Sequence, residues 1–268
     1  MAVADLEVEQ DVVYTTVDGR ELLCDIYRPS ATLNKHTALV HLHGGSFRGG
    51  SKAGARLARP LAALGYTCVA ATYRVLPEAI WPAQMHDVKA AIRWTRANAS
   101  RLDVEPSKLA LVGYSAGAQL SLIAAGSQHS AHHADDAHHT AMPEVTADVA
   151  ACVALYPPTG EPTHAVLGPS PTQEQVRSFD VLNYITPGFP PTILFHGTAD
   201  TMVPVDKSFE IAAKLREVGA PVELHIVEGV THVFESHADL AQASATWIDL
   251  FLDRHVVNPR RYPSTQPR

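Results

Sequence analysis

The sequence predicts an α/β fold: one domain built on a mostly parallel, eight-stranded sheet with helices on both faces. Three observations predict it. Strand-like and helix-like runs alternate along almost the whole chain, the pattern of βαβ units. The strand-like runs ALVHL, TCVAA, LALV, ACVAL and TILF are largely apolar rather than alternating, as strands covered on both faces are. The chain of 268 residues is long enough to bury such a core and shows neither an internal repeat nor a linker.

The elements follow in order. DVVYTTV and ELLCDIY flank Asp18-Gly19, a hairpin signal, so this pair belongs at the N-terminal edge of the sheet. ALVHLHG (38–44) reads as a buried strand. GARLARPLAALG has helical spacing that Pro60 must bend or start. TCVAATY is strand-like, and PAQMHDVKAAIRWTRANA is helical with Pro82 suited to its first turn. LALVGY then leads into AGAQLSLIAAG, a strand followed by a helix. ACVALYP and PTILFHG are strands; DKSFEIAAKLREVG is a helix ending at Gly219, a C-cap residue. VELHIVEG and DLAQASATWIDLFLDRH supply the last strand and helix. Residues 254–268, rich in Arg and Pro, read as a flexible tail. Two segments break the rhythm: 127–144, polar and His-rich, and 157–175, rich in Pro, Gly and Thr. The second follows a strand end and is placed to overhang a site at the carboxyl edge of the sheet.

Composition excludes several classes. The net charge is −7, which argues against a nucleic-acid surface, since that needs clustered Lys and Arg. No apolar run reaches about 18 residues, so no membrane span is expected. The opening MAVADLEVEQD lacks a basic segment followed by an apolar one, so no signal peptide is expected. Cys24, Cys68 and Cys152 lie in apolar strands without metal-ligand spacing, which reads as free thiols in a reducing, cytoplasmic setting. The strand near 221–227 offers an exposed edge to which a second copy of the chain can pair, so a homodimer is open.

Chemistry is concentrated in four places. In LVGYSAGAQL, Ser115 stands between Gly113 and Gly117 at a strand-to-helix junction. A serine hydroxyl is a weak nucleophile until a base removes its proton and donors stabilise the resulting oxyanion. A sharp turn lifts Oγ clear and aims the first helical N–H groups at it, and flanking glycines avoid collisions in so tight a turn. By composition G-x-S-x-G arises by chance in about one chain in ten of this length, so its weight rests on its position. HLHGGSFRGG also follows a strand, and its glycines let backbone N–H groups face a cavity. It lacks the ending of a P-loop and the spacing of a dinucleotide fingerprint. Asp200 in HGTADTMVP and His232 in EGVTHVF follow the next strands, in the order nucleophile, acid, histidine. His232 is then the base for Ser115, and Asp200 holds the other ring nitrogen. His225, within a strand, and His237, at a helix start, read as bland; His196 reads as bonding loop backbone.

These residues resemble the α/β-hydrolase superfamily over about Glu21 to Leu252. HGGSF resembles the HGGG-type motif of hormone-sensitive-lipase-like esterases, and YRVLPEAIWPAQMHDV resembles a stretch of the same relatives. The resemblance implies an α/β-hydrolase fold and oxyanion donors at the N–H groups of Gly45, Ser46 and Ala116, with Gly44 making room. It offers Phe47, Trp81, Tyr114 and Tyr156 as walls of an acyl pocket, with core packing as the alternative for each. Arg74 and Asp87 look like a structural pair. Ser46 in place of a third glycine, Tyr114 before the nucleophile and the short stretch before the first strand move the likeness toward small capless relatives. These are the bifunctional feruloyl/acetylxylan esterases and, second, the kynurenine formamidases, which cleave aryl formamides. The implied activity is serine carboxylesterase action on a small-molecule ester with short-chain or aromatic acyl groups, with no cofactor. His129, His132 and His133 with Asp135 and Asp136 have spacing open to a divalent ion, but a solvated polar loop is the preferred reading and no metal is expected.

Overall fold

The computed structural model describes residues 6–129, 142, 144–160 and 164–261. Asp18 and Gly19 both take positive φ (50° and 80°), the conformation a two-residue hairpin demands. They join β1 (Glu7–Val17) to β2 (Arg20–Arg28). The remaining strands are β3 (Ala38–Leu42), β4 (Thr67–Ala71), β5 (Leu109–Tyr114), β6 (Ala151–Leu155), β7 (Thr192–Gly197) and β8 (Val222–Val227). Their order in the single sheet is β1-β2-β4-β3-β5-β6-β7-β8. β2 runs antiparallel to both neighbours, and every pair from β4 to β8 is parallel.

Helices α1 (Ala58–Ala63), α2 (Ala83–Ala97), α3 (Ala99–Leu102), α4 (Ala116–Gly126), α5 (His164–Leu167), α6 (Gln173–Ser178), α7 (Asp206–Glu217) and α8 (Ala238–Leu252) connect and cover the strands. Pro60 sits in the first turn of α1, where its missing N–H leaves no helical bond unmade. The central strands are buried along their whole length, and their side chains alternate between two cores. Val40, Leu111, Cys152 and Leu194 join Ile92, Leu120 and Leu215 of α2, α4 and α7 on one face. Leu39, Val112, Val153 and Phe195 join Leu61, Ile248 and Phe251 of α1 and α8 on the other. This is why the apolar runs do not alternate in sequence: both faces are dry. β8, by contrast, is half-buried throughout and ends the sheet, as the expected exposed edge.

Helix α7 ends as the sequence predicts. Gly219 takes φ 77°, its N–H reaches the Arg216 carbonyl (3.1 Å), and the Ala220 N–H reaches Leu215 (2.9 Å). That is the bonding of a Schellman cap. No atom beyond its immediate neighbours lies within 4 Å of an added Cβ, so the strain of a left-handed alanine acts alone. Gly219→Ala is therefore expected to cost about 1 kcal/mol, read as a small drop in the urea midpoint without loss of activity.

One boundary differs from expectation. The chain does not loosen at Arg254: Asp253–Val257 continues α8 as a π-helical turn. Val256 is 4% exposed, Arg254 pairs with Glu223 of β8, and Arg260 pairs with Asp253 at 2.7 Å. The apolar spacing of Phe251, Leu252 and Val256 keeps this turn docked on the sheet, a signal hidden in sequence by the neighbouring basic residues. Residues 262–268 and His132, His133, Asp135 and Asp136 of the segment read as a solvated polar loop lie outside the described residues. Among the described residues no cluster of three metal-ligating side chains forms, and no helix is long and apolar enough to cross a membrane.

Strand order also places the site. From β3 the chain crosses to β4 on one side, then returns past β3 to β5 on the other. The crevice at the carboxyl ends of β3 and β5 is thus a topological switch point, where ligands of open α/β sheets bind.

Candidate active site

HGGSF leaves the end of β3, and Ser115 leaves the end of β5 beside it. Ser115 has φ 51° and ψ −117°, a conformation costly for a non-glycine residue and held here by its surroundings. Its N–H donates to Leu155 (3.0 Å), while its carbonyl starts α4 by accepting from Ala118 and Gln119 (2.8 and 3.1 Å). The two glycines of the motif are sterically required. A Cβ on Gly113 would lie 2.3 Å from the Gly117 carbonyl oxygen, and one on Gly117 would lie 2.0 Å from the Leu42 oxygen. Ala116 is the first residue of α4, so its N–H has no acceptor within the helix.

The glycine loop is tied down through its carbonyls. Gly45 has φ 126° and its oxygen accepts from Arg48 (2.9 Å) and Gly49 (3.2 Å). The Phe47 oxygen accepts from Leu76 (2.7 Å), and the His43 oxygen accepts from the Tyr73 hydroxyl (2.6 Å). Gly44 approaches Ser115 closely: a Cβ there would meet the Ser115 Cβ at 3.2 Å. Below the loop Arg74 grips Asp87 through Nε (2.9 Å) and Nη2 (2.8 Å), the structural pair expected from sequence.

His232 and Asp200 arrive from the loops after β8 and β7. The His232 Nε2 lies 3.0 Å from Ser115 Oγ, and its Nδ1 lies 2.6 Å from Asp200 Oδ2. Asp200 Oδ1 accepts from the N–H groups of Met202 and Val203, both at 2.9 Å. Burial pushes the Asp200 carboxyl up, but hydrogen bonds from His232, Val203 and Met202 outweigh it and hold the group below its usual value. The acid is therefore ionised and points one oxygen at the imidazole. His196 supports the same loop: its Nε2 donates to the Val203 carbonyl (2.9 Å), lies 3.2 Å from Asp200 Oδ2, and its Nδ1 meets Ser208 Oγ (2.7 Å). Burial lowers the His196 pKa, so its ring is a neutral brace, in keeping with the backbone-bonding role expected of it.

Two cavities open on Ser115. One, about 230 Å³, is bounded by Phe47, Ala116, Gln119, Thr159, Phe179 and Val203, among others. The other, about 270 Å³, is bounded by Gly44, Gly45, Tyr114, Tyr156, His232 and Glu235, among others. Ser46 and Met202 border both. The four aromatic wall candidates therefore separate. Phe47 faces the first cavity, and Tyr114 and Tyr156 face the second. Trp81 borders neither; it is 1% exposed, packs edge-on against Phe179 (5.1 Å) and donates to Ser178 Oγ (2.8 Å). It belongs to the core, because Phe179 occupies the layer between it and the cavity.

The sequence reading missed Gln119, Phe179, Met202 and Glu235. Gln119 was within reach, since four residues after Ser115 a helix returns to the same face. Its Nε2 donates to the Phe179 carbonyl (2.7 Å) and so anchors Phe179 at the wall of the first cavity. Phe179 had no such signal; only the tertiary fold brings it over Phe47, with ring centroids 5.3 Å apart.

A doubly covered, mostly parallel sheet with serine, histidine and aspartate meeting at its carboxyl rim defines an α/β-hydrolase. The family model for BD-FAE, the bifunctional feruloyl/acetylxylan esterases, matches residues 24–215, and the chain belongs to that family. Among curated relatives, esterase LipQ of Mycobacterium tuberculosis is 31% identical over 224 residues, covering 75% of this chain and 51% of that protein. The chain spans about half the length of the curated relatives it matches first. Among solved structures, the butyrate-bound esterase Est2 of Thermogutta terrifontis superposes with a TM-score of 0.76 at 28% identity, over 97% of this chain and 98% of that one. The same esterase phosphorylated by paraoxon gives a TM-score of 0.77 at 28% identity, over 97% of both chains.

Proposed function

We propose that this chain is a serine carboxylesterase acting on short-chain or small aromatic acyl esters through an acyl-enzyme. The observation that carries the reading is the unbroken line from Ser115 Oγ to His232 Nε2 (3.0 Å) and from His232 Nδ1 to Asp200 (2.6 Å). In the first half-reaction His232 takes the Ser115 proton as Oγ attacks the ester carbon. The carbonyl oxygen, now negative, is received by the N–H groups of Gly45, Ser46 and Ala116, each such donor contributing about 3 kcal/mol to the transition state. The imidazolium then protonates the leaving alkoxide. Water, deprotonated by the same histidine, releases the acid and regenerates Ser115.

This order of proton transfers assigns the cavities. The leaving oxygen must stand beside His232 Nε2, so the alcohol half occupies the cavity bordered by His232, and the acyl half occupies the one bordered by Phe47 and Phe179. The acyl cavity, about 230 Å³, is compact and its Phe47–Phe179 pair is packed, which favours short or flat acyl groups. The esterase activity of LipQ and the butyrate bound in Est2 support this choice of substrate.

The test is a series of p-nitrophenyl esters from acetate to octanoate, with methyl ferulate and an aryl formamide alongside and Ser115→Ala as the blank. Short esters are expected to turn over best. Equal turnover by Ser115→Ala defeats the mechanism, and preference for the formamide defeats the substrate class. Phe179→Leu opens the acyl cavity and is expected to raise the octanoate-to-acetate ratio of kcat/KM about fivefold. No change in that ratio reverses the assignment of the two cavities.

A further inference from the structure

Glu235 is a buried carboxyl that the triad does not use. Its side chain is 1% exposed, its Oε2 has no hydrogen-bond partner among the described residues, and burial holds its pKa above the usual value. It lies three residues after His232, on the short 3-10 turn Phe234–Ser236. Its Oε1 accepts the hydroxyl of Tyr156 at 2.8 Å and lies farther, 3.8 Å, from Nε of the more exposed Arg56. Tyr156 stands at the end of β6 with φ 41°, a left-handed value that is strained for an aromatic residue. Its N–H donates to Phe195 (2.6 Å), which ties it to the sheet. Its ring packs against the His232 imidazole with centroids 4.3 Å apart. On the other side of His232, Val233 is also left-handed, at φ 60°. Two strained residues thus bracket one contact, and such strain persists only where the surroundings over-determine it.

We propose that Tyr156 and Glu235 form a strut that positions the His232 ring for proton transfer, a role resting on the esterase reading above. Asp200 fixes the ring through Nδ1 but leaves it free to tilt about that bond. Tyr156 blocks the tilt on one face. The Tyr156–Glu235 bond in turn fastens the histidine loop to β6, so ring and loop are held by the same two side chains. Neither residue exchanges a proton with substrate; both are positioning residues. Burying a carboxyl with one oxygen unpaired costs stability, and that cost has an explanation if the other oxygen is needed where it stands.

Three variants test this. Tyr156→Phe keeps the ring over His232 and removes the hydroxyl. Glu235→Leu removes the acceptor. Glu235→Gln keeps an acceptor oxygen at the same place. With p-nitrophenyl acetate, Tyr156→Phe and Glu235→Leu are each expected to lower kcat about tenfold while KM stays within about twofold, the pattern of a lost transition-state contact. Glu235→Gln is expected within about threefold of the parent, because it restores the bond. The double variant Tyr156→Phe/Glu235→Leu is expected to be no slower than the worse single variant, as two ends of one bond require. The rate of covalent capture of Ser115 by a fluorophosphonate should fall in the same proportions. Additive losses, equal damage from Glu235→Gln and Glu235→Leu, or a rise in KM with unchanged kcat would each overturn the strut. If Glu235→Leu fails to fold, Tyr156→Phe and Glu235→Gln still decide. A parent enzyme with no Ser115-dependent turnover would instead overturn the esterase reading itself.

Discussion

Asp200→Asn is expected to lower kcat for a short ester by about four orders of magnitude with little change in KM. The geometry dictates which way the new amide must point. Asp200 Oδ1 accepts two backbone N–H groups, from Met202 and Val203, so the asparagine carbonyl oxygen stays there. The amide NH2 then takes the place of Oδ2, 2.6 Å from His232 Nδ1. Two donors cannot face each other, so Nδ1 becomes the acceptor and Nε2 carries the hydrogen. An Nε2–H cannot take the Ser115 proton, and the base is lost although every atom is nearly in place. His196 Nε2, 3.2 Å from Oδ2, also loses an acceptor, which adds a modest loss of stability.

The pH dependence of that loss has a defined sign. Asp200 is held below its usual pKa in the folded chain, so its ionised form stabilises the fold above the ordinary carboxylate range. That contribution disappears as the pH falls through the lowered value. The difference in unfolding free energy between parent and Asp200→Asn is therefore expected to be constant near neutrality and to shrink only in acid. Steady-state kinetics and urea titrations at several pH values check both statements. A fall in kcat of less than about tenfold would show that Asp200 does not orient the base.

How far the sequence carried the site depends on the kind of constraint involved. Ser115, Asp200 and His232 were legible because each follows an apolar strand run, and parallel strands deliver such positions to one rim. Gly113 was legible because backbone packing within the strand-to-helix turn itself excludes a Cβ; Gly117 was legible as part of the motif, but what excludes its Cβ is the Leu42 carbonyl at the end of β3, a tertiary contact. The walls were legible only in part: Phe47, Tyr114 and Tyr156 border the cavities, but Trp81 does not and Gln119 and Phe179 do, because long-range geometry sets the rest. Trp81 and Phe179 are about a hundred residues apart, and nothing local says which of the two rings lies nearer Ser115. Tyr156 and Glu235 fall in the same class: the residues are ordinary, and only the crossing of two loop ends makes them partners. At the chain end the basic residues from Arg254 drew attention from Val256, whose burial decides the conformation.

The second large effect is expected from Gly117→Ala, which should destabilise the protein by more than about 3 kcal/mol, beyond the usual range for one added methyl group. Overpacking is normally relieved by rotating a side chain. Here the three atoms nearest the new Cβ are all backbone: the Leu42 carbonyl oxygen at 2.0 Å, the His43 oxygen at 2.5 Å and the Leu42 carbonyl carbon at 2.6 Å. Relief requires α4 to move away from the end of β3, against the core that Leu120 and Ile123 share with Val40. Gly49→Ala is the matched control, since no atom beyond its neighbours lies within 4 Å of its Cβ, and its cost should stay within about 0.5 kcal/mol. The displacement also has a chemical consequence. Moving α4 from β3 separates the Ala116 N–H from those of Gly45 and Ser46, so the folded fraction of Gly117→Ala should lose kcat as well as stability. Urea midpoints with fluorophosphonate-titrated active sites distinguish the two losses. A Gly117→Ala protein with the parent's midpoint would mean that the close approach of α4 to β3 does not hold the serine turn.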